Sequence, residues 1–378
     1  MSGSGRWTGD ATLTGPGDAP LKLSVITSSA GNLSIAELLR ELWILRTYAI
    51  DLYPRGCDVA GALGILAQNT GTVEELRART VEDRFGDTRF VDAMAEYVGR
   101  QKMEARRMIW GQFRERVPAG GFVIPAIATY FPDIASHDPR LRRRACNALK
   151  GAVRLASRLK VPVVEFVLGR LVSRCHRPPE GHGRSRTLRC EYVYEANIDD
   201  KLAQVVPLLE EVADAGGGKV RLAAEIEPGY SYLLSTRANI DAYRSYIAKR
   251  GLSGRVGLNL DIGHMLILAN TRGAGIDLGC VGQWREDVFH AHASDNIGFH
   301  FQDLVPGSLH PLLGTDGDGQ SFEEWVSVCL GLVKEMGRSR RFSGYISVEI
   351  EGCQRNQWVQ RSLLRLGYLI RCLRARGG

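Results

Sequence analysis

Residues 138–168 read DPRLRRRACNALKGAVRLASRLKVPVVEFVL, and this stretch sets the architecture. Asp138 before Pro139 is an N-cap residue ahead of a proline at the first helical position, where a missing N–H costs nothing. Apolar residues recur at Leu141, Ala145, Leu149, Ala152, Ala156 and Leu159, steps of four and three that lay one stripe along a helix. Val161 to Leu168 then runs apolar nearly throughout, as a strand does when both its faces are covered. A half-buried helix leading straight into such a strand is the repeating unit of a parallel sheet.

The same unit recurs in both directions along the chain. Strands are expected at Leu21–Thr27, Tyr48–Tyr53 and Gly121–Tyr130 before it, and at Arg221–Glu227, Val256–Asp261, Val288–Ala293 and Tyr345–Ile350 after it. Helices are expected at 36–45, 199–215 (ended by Gly216-Gly217-Gly218), 238–249, 321–336 and 356–374. Eight strands alternating with helices predict an α/β fold of the closed (β/α)8 type. An open doubly wound sheet is disfavoured, since no GxGxxG follows the first strand. Residues 54–119 form a helical insertion after strand two, with helical patterns at 58–67 and 91–115, and the polar, Arg-rich residues 170–195 form a long loop after strand four. The domain reading is a flexible tail at 1–20 and one barrel domain over 21–378.

Composition excludes several classes of protein. With 44% hydrophobic and 24% charged residues, the 378-residue chain is neither disordered nor a repeat fibre. The net charge of +7 sits mostly in Arg355–Gly378, which holds six arginines and no acid, leaving the rest near +1. That distribution names no partner; it is merely compatible with an anionic substrate, and the near-neutral remainder argues against a groove that tracks nucleic acid. No run approaches eighteen apolar residues, so no membrane partner is expected. The opening residues lack the basic start and apolar middle of a secretion signal, and the eight cysteines form no CxxC pair. Free thiols in a cytoplasmic protein are the expectation; a homo-oligomer is left open.

Strands five to eight share a chemical property. Each carries acids or imidazoles at or near its carboxyl end: Glu225 and Glu227, then Asp261 with His264, then His290 and His292 with Asp295, then Glu349 and Glu351. In a barrel these ends converge on one face. So many carboxylates in one place call for a cation, and a mixture of oxygen donors and imidazole suits Mn²⁺, Mg²⁺, Co²⁺ or Zn²⁺. Alternation sends Glu225 and Glu227 to the same side, as it does Glu349 with Glu351 and His290 with His292, so spacing leaves each pair unresolved.

The ordered set E-x-E-P-G (Glu225–Gly229), L-D-I-G-H (Leu260–His264), H-A-H-A-S-D (His290–Asp295), H-P-L-L-G (His310–Gly314) and G-Y-I-S-V-E-I-E (Gly344–Glu351) resembles the sugar phosphate isomerase/epimerase group of the xylose-isomerase-like TIM barrels. The resemblance spans about Leu21 to Cys372 and is specific in the second half. It implies one divalent ion, Mn²⁺ first among the candidates, held by Glu225, Asp261, His292 and Glu349. It implies further that Glu225 and Glu349 act as the acid/base pair, while His264, Asp295, His310 and Glu227 meet the substrate. The activity so implied is isomerisation or epimerisation of a sugar-like polyhydroxy carbonyl compound, by proton transfer through a metal-stabilised enediolate. Two alternatives accompany it. The same metal-binding barrel can serve a dehydratase, a hydrolase or a natural-product enzyme, since fold does not fix function. A phosphodiesterase of the endonuclease IV type is disfavoured, because no histidine lies on strands two or three, where that trinuclear zinc enzyme draws two ligands.

Overall fold

Eight parallel strands build the centre of the molecule: β1 (Lys22–Ile26), β2 (Ile50–Asp51), β3 (Ala126–Thr129), β4 (Val163–Val167), β5 (Arg221–Glu225), β6 (Val256–Asp261), β7 (Val288–Ala293) and β8 (Tyr345–Val348). The computed structural model describes residues 22–176, 190–296, 303–304 and 331–350, without residues 32, 46, 71, 72, 119, 195, 196, 230, 278, 333 and 337. The strands pair in the order β2-β1-β8-β7-β6-β5-β4-β3. Parallel bridges at Ala49–Val123 and Leu52–Ile127 then join the two ends. Across that seam the Ile50 N–H donates to the Val123 carbonyl at 3.1 Å and the Ala128 N–H to the Leu52 carbonyl at 3.0 Å. The sheet is a closed ring, the TIM barrel that the alternation of elements predicts.

Each strand has two unlike faces. Leu23 and Val25, Ile50 and Leu52, Val164 and Phe166, Leu222 and Ala224, Leu258 and Leu260, and Ile346 and Val348 belong to the large core between sheet and helices. The intervening residues point the other way, into the lumen. Ala126, Val163, Ala223 and Phe289 form a separate apolar cluster there, the floor of the barrel. Above that floor the inward positions turn polar: Ser24, Asp51, Glu165, Glu225, Asn259, Asp261, His290, His292 and Ser347 are all buried. What reads as a uniformly apolar strand is thus an apolar outer face with a polar lumen.

On β7 the inward set depends on a β-bulge. Leu258 pairs with Val288 and Asn259 with His290, so Phe289 is the extra residue. Phe289 faces the lumen floor, and strict alternation would then send His290 and His292 outward. The extra residue resets the phase and brings both imidazoles inside. Gly257 makes room for this: a Cβ there would lie 2.2 Å from the Asp287 carbonyl oxygen and 2.7 Å from the Phe289 ring.

Helices cover the outside. In α1 (Ile35–Ile44) Ser34 and Glu37 form a capping box. The insertion contributes α2 (Gly56–Thr70), α3 (Glu74–Arg77), α4 (Val81–Phe85) and α5 (Thr88–Phe113). The helix read from 138–159 is α6 (Pro139–Leu159), where Asp138 accepts the Arg140 N–H at 2.7 Å. It meets α4 closely, since a Cβ on Gly151 would fall 1.8 Å from the Phe85 carbonyl oxygen. Then follow α7 (Ile198–Asp214), α8 (Arg237–Lys249) and α9 (Ile262–Asn270). The segment after β4 differs from the loop expected over 170–195. Val172–His176 pairs antiparallel with Cys190–Tyr194, a hairpin that its Arg-rich composition hides. The 1–20 tail and the helix expected at 356–374 lie outside the described residues. Among the described residues no helix is long and apolar enough to cross a membrane.

Candidate active site at the carboxyl ends of strands five to eight

The barrel brings together the residues that the sequence pattern singles out. One donor atom each from Glu225, Asp261, His292 and Glu349 lies within 4.8 Å of the others. Glu225 closes β5, Asp261 closes β6, His292 sits near the end of β7, and Glu349 follows β8 directly. His292 Nδ1 is 2.5 Å from Glu349 Oε2 and 3.6 Å from Glu225 Oε1. Its other nitrogen, Nε2, faces Glu165 Oε2 at 3.0 Å and Asp51 Oδ2 at 3.6 Å.

Asp261 serves two ends. Its Oδ1 accepts the His264 N–H at 2.8 Å, capping α9 as the strand turns into the helix. Its Oδ2 is buried and accepts no hydrogen bond. The cap places His264 in the first helical turn, where Nδ1 lies 3.1 Å from the Ile226 carbonyl oxygen. A carbonyl can only accept, so Nδ1 carries the proton. The same nitrogen is 3.7 Å from Glu225 Oε1 and 3.8 Å from Glu227 Oε2, so Glu227 flanks the cluster without joining the four-residue group.

Crowding of buried acids perturbs these groups strongly. Burial pushes Glu225 well above the ordinary carboxylate value, the charges of Glu165, Glu227 and Glu349 add to the rise, and the nearby His292 ring opposes it. For His292 burial alone would favour the neutral ring, but the charges of Glu165 and Glu349 and contacts with Asp51 and Glu165 carry it well above the usual imidazole value. Burial also works against ionisation of Asp51, yet the charges and hydrogen bonds of His290 and His292 hold it far below the usual carboxylate range.

Glu225 Oε1 and Asp261 Oδ2 are both buried and accept no hydrogen bond. Buried carboxylate oxygens normally find partners, so these two, together with an imidazole and a third acid, fit a divalent cation. The mouth above is edged by Tyr130, Arg170 and Tyr232. The Arg170 guanidinium donates to the Tyr232 hydroxyl at 3.0 Å and stacks 4.8 Å from its ring centre. A cavity of about 620 Å³ lies under the insertion, lined by Tyr53, Arg55 and Tyr130 among others.

Two inward acids escape the sequence reading, Asp51 and Glu165. Each is the one acid in an otherwise apolar strand segment, YAIDLY and VPVVEFVL, and a lone charge in such a run was the available signal. His290 is inside as well, with Nε2 2.5 Å from Asp51 Oδ2 and Nδ1 2.8 Å from Ser343 Oγ. Asp295 lies on the short strand Asp295–Asn296, its side chain outside the described residues, as are His310 and Glu351 altogether.

A closed parallel barrel with an acidic, imidazole-bearing pocket at the strands' carboxyl ends defines an enzyme-like class of α/β barrel. The chain belongs to the xylose isomerase-like TIM barrel family, whose model matches residues 78–368. A D-tagatose 3-epimerase-like protein shares its fold at 16% identity and a TM-score of 0.58, over 95% of this chain and 100% of that one. The 3-keto-D-glucoside 4-epimerase of E. coli, in its apo form, matches at 14% identity and 0.54, over 93% and 100%. The IOLI protein, solved with a bound zinc atom, matches at 15% identity and 0.52, over 95% and 99%. No curated protein sequence matches the chain.

Proposed function

We propose that this protein is a divalent-metal-dependent isomerase or epimerase of a sugar-like polyhydroxy carbonyl compound. One observation carries the reading: four consecutive strands deliver Glu225, Asp261, His292 and Glu349 to one buried point, donor atoms within 4.8 Å of one another. Structural relatives that are sugar epimerases, and one holding zinc, support it. In this reading those four side chains hold the ion, with Mn²⁺ first among the candidates and Mg²⁺, Co²⁺ and Zn²⁺ behind it. When bound, a divalent ion supplies Lewis-acid polarisation of the carbonyl and its neighbouring hydroxyl.

The chain's own residues do the rest. Glu225 and Glu349 come from β5 and from the end of β8, on different sides of the cluster, so each addresses a different face of a bound carbon skeleton. One carboxylate removes the proton beside the carbonyl and the other returns it, at the neighbouring carbon or on the opposite face. His264, whose Nδ1 faces the Ile226 carbonyl and lies beside Glu225 and Glu227, is placed to meet a substrate hydroxyl. Glu227 serves the same end, with Asp295 and His310 as further substrate contacts. Tyr130, Arg170 and Tyr232 at the mouth offer hydroxyl and guanidinium partners suited to a polyhydroxy compound.

The test is solvent isotope incorporation. Metal-loaded protein in D₂O with a panel of ketoses and aldoses is expected to place deuterium at a single carbon adjacent to the carbonyl. Glu225→Gln and Glu349→Gln are each expected to abolish the incorporation. Retained deuterium exchange in both variants refutes the acid/base assignment, and cleavage of abasic DNA without exchange refutes the isomerase reading.

A further inference from the structure

Beneath the four donor groups lies a second polar level, Asp51, Glu165 and His290, for which the isomerase reading has no use. Its members are not equivalent. Asp51 is engaged by His290 at 2.5 Å, and His290 in turn by Ser343 at 2.8 Å, while Asp51 lies farther from His292 Nε2, at 3.6 Å. Among the described residues Glu165 has no such partner: its Oε2 lies 3.0 Å from His292 Nε2, close enough for an ion pair though not aligned as a hydrogen bond. It is 3% exposed, held in the middle of β4. The Thr129 hydroxyl donates to its backbone carbonyl at 2.9 Å, which ties β3 to β4 at that level and leaves the carboxylate itself uncommitted.

The two nitrogens of His292 therefore face different surroundings. Nδ1 looks up to Glu349 and Glu225, and Nε2 looks down to Glu165 at 3.0 Å, with Asp51 farther off at 3.6 Å. A neutral imidazole carries one N–H, and a ring that ligates an ion through one nitrogen gives the N–H on the other to an acceptor behind it. We propose that Glu165 is a positioning residue for His292, accepting from Nε2–H so that the bare Nδ1 is turned toward the ion. The inference rests on the metal reading above and extends it to a residue one level deeper. It also explains why β4, which delivers none of the four donors, carries a buried acid facing His292 with no Lys or Arg recorded beside it among the described residues.

Zinc affinity of the whole chain, measured by competition with a chromophoric chelator, tests this alongside thermal melting of the metal-free protein. Glu165→Leu removes the acceptor and is expected to weaken zinc binding about 10- to 100-fold. Glu165→Gln, which keeps an acceptor oxygen, is expected to weaken it less. Metal-free melting temperatures are expected to fall by a similar amount in both variants, because each removes the charge that faces the protonated His292, whereas affinity separates the two. In the zinc-loaded parent, ¹⁵N NMR of His292 should show a protonated Nε2 and a ligated Nδ1. Unchanged affinity in Glu165→Leu overturns the proposal, as does ligation through Nε2. A metal-free melting temperature that falls in step with affinity makes Glu165 a structural residue and overturns it too. Absence of zinc binding in the parent is a separate result, which refutes the metal reading itself.

Discussion

Loading the barrel with a divalent ion should expel protons, and the number follows from the site. In the metal-free protein Glu225 is shifted well above the ordinary carboxylate value, by burial and then by the charge of Glu165. His292 is shifted well above the ordinary imidazole value by Glu165 and Glu349, against its burial. Both hold a proton below those raised values, and both must lose it to become ligands. About two protons should therefore leave per ion bound at mildly acidic pH. Each released proton makes affinity rise about tenfold per pH unit, so two give about a hundredfold per unit below both raised values. The direction of the stability effect is fixed by the same shifts. A group raised in the folded state contributes stability below its unfolded pKa and loses that contribution as pH climbs through its folded value. The metal-free protein should consequently melt lower as pH rises, and the gap to the loaded protein should widen. Titration calorimetry with Mn²⁺ in buffers of different ionisation enthalpy reads the proton count from the slope. A slope of zero, with binding intact, refutes the protonation scheme; affinity that falls with pH refutes its sign.

Asp261→Asn keeps an N-cap for α9, since asparagine caps as well as aspartate, while weakening an ion-ligating group. Melting of the metal-free variant should stay within about 1 kcal/mol of the parent while metal content by elemental analysis falls; stoichiometric metal in the variant would remove Asp261 from the ligand set. Gly257→Ala puts a methyl 2.2 Å from the Asp287 carbonyl oxygen and against Phe289. It should cost about 1–3 kcal/mol and also weaken metal binding, because the bulge that turns His292 inward is disturbed; denaturant melts and chelator competition read the two effects.

The sequence carries the architecture well where strands are long and both flanks are marked. Val256–Asp261 and Val288–Ala293 have the same limits in the pattern and in the structure. It carries β2 poorly, since only Ile50 and Asp51 keep regular pairing, although six residues look equally extended. The hairpin at 172–194 escapes because its strands flank a polar, Arg-rich stretch, where composition suggests a loop. At the site, period-two spacing cannot separate Glu225 from Glu227, because both project to the same side; the resemblance chooses Glu225, and the four-residue cluster contains it. Asp51 and Glu165 are hidden for the opposite reason. Each sits alone in its strand, and their meaning emerges only when the ring brings them under His292.

Closure of that ring has a temporal consequence. Lys22–Val25 hydrogen-bonds along Tyr345–Val348, so the opening strand waits through more than 300 residues of synthesis for its neighbour. The same late arrival carries Glu349, the last of the four acidic and imidazole donors. Until it docks, the interior carboxylates remain wet and cheap to keep ionised, and an ion can reach them without threading the finished mouth. On the metal reading, sealing of the cylinder and completion of the ligand cage would be a single event, since the final strand brings both.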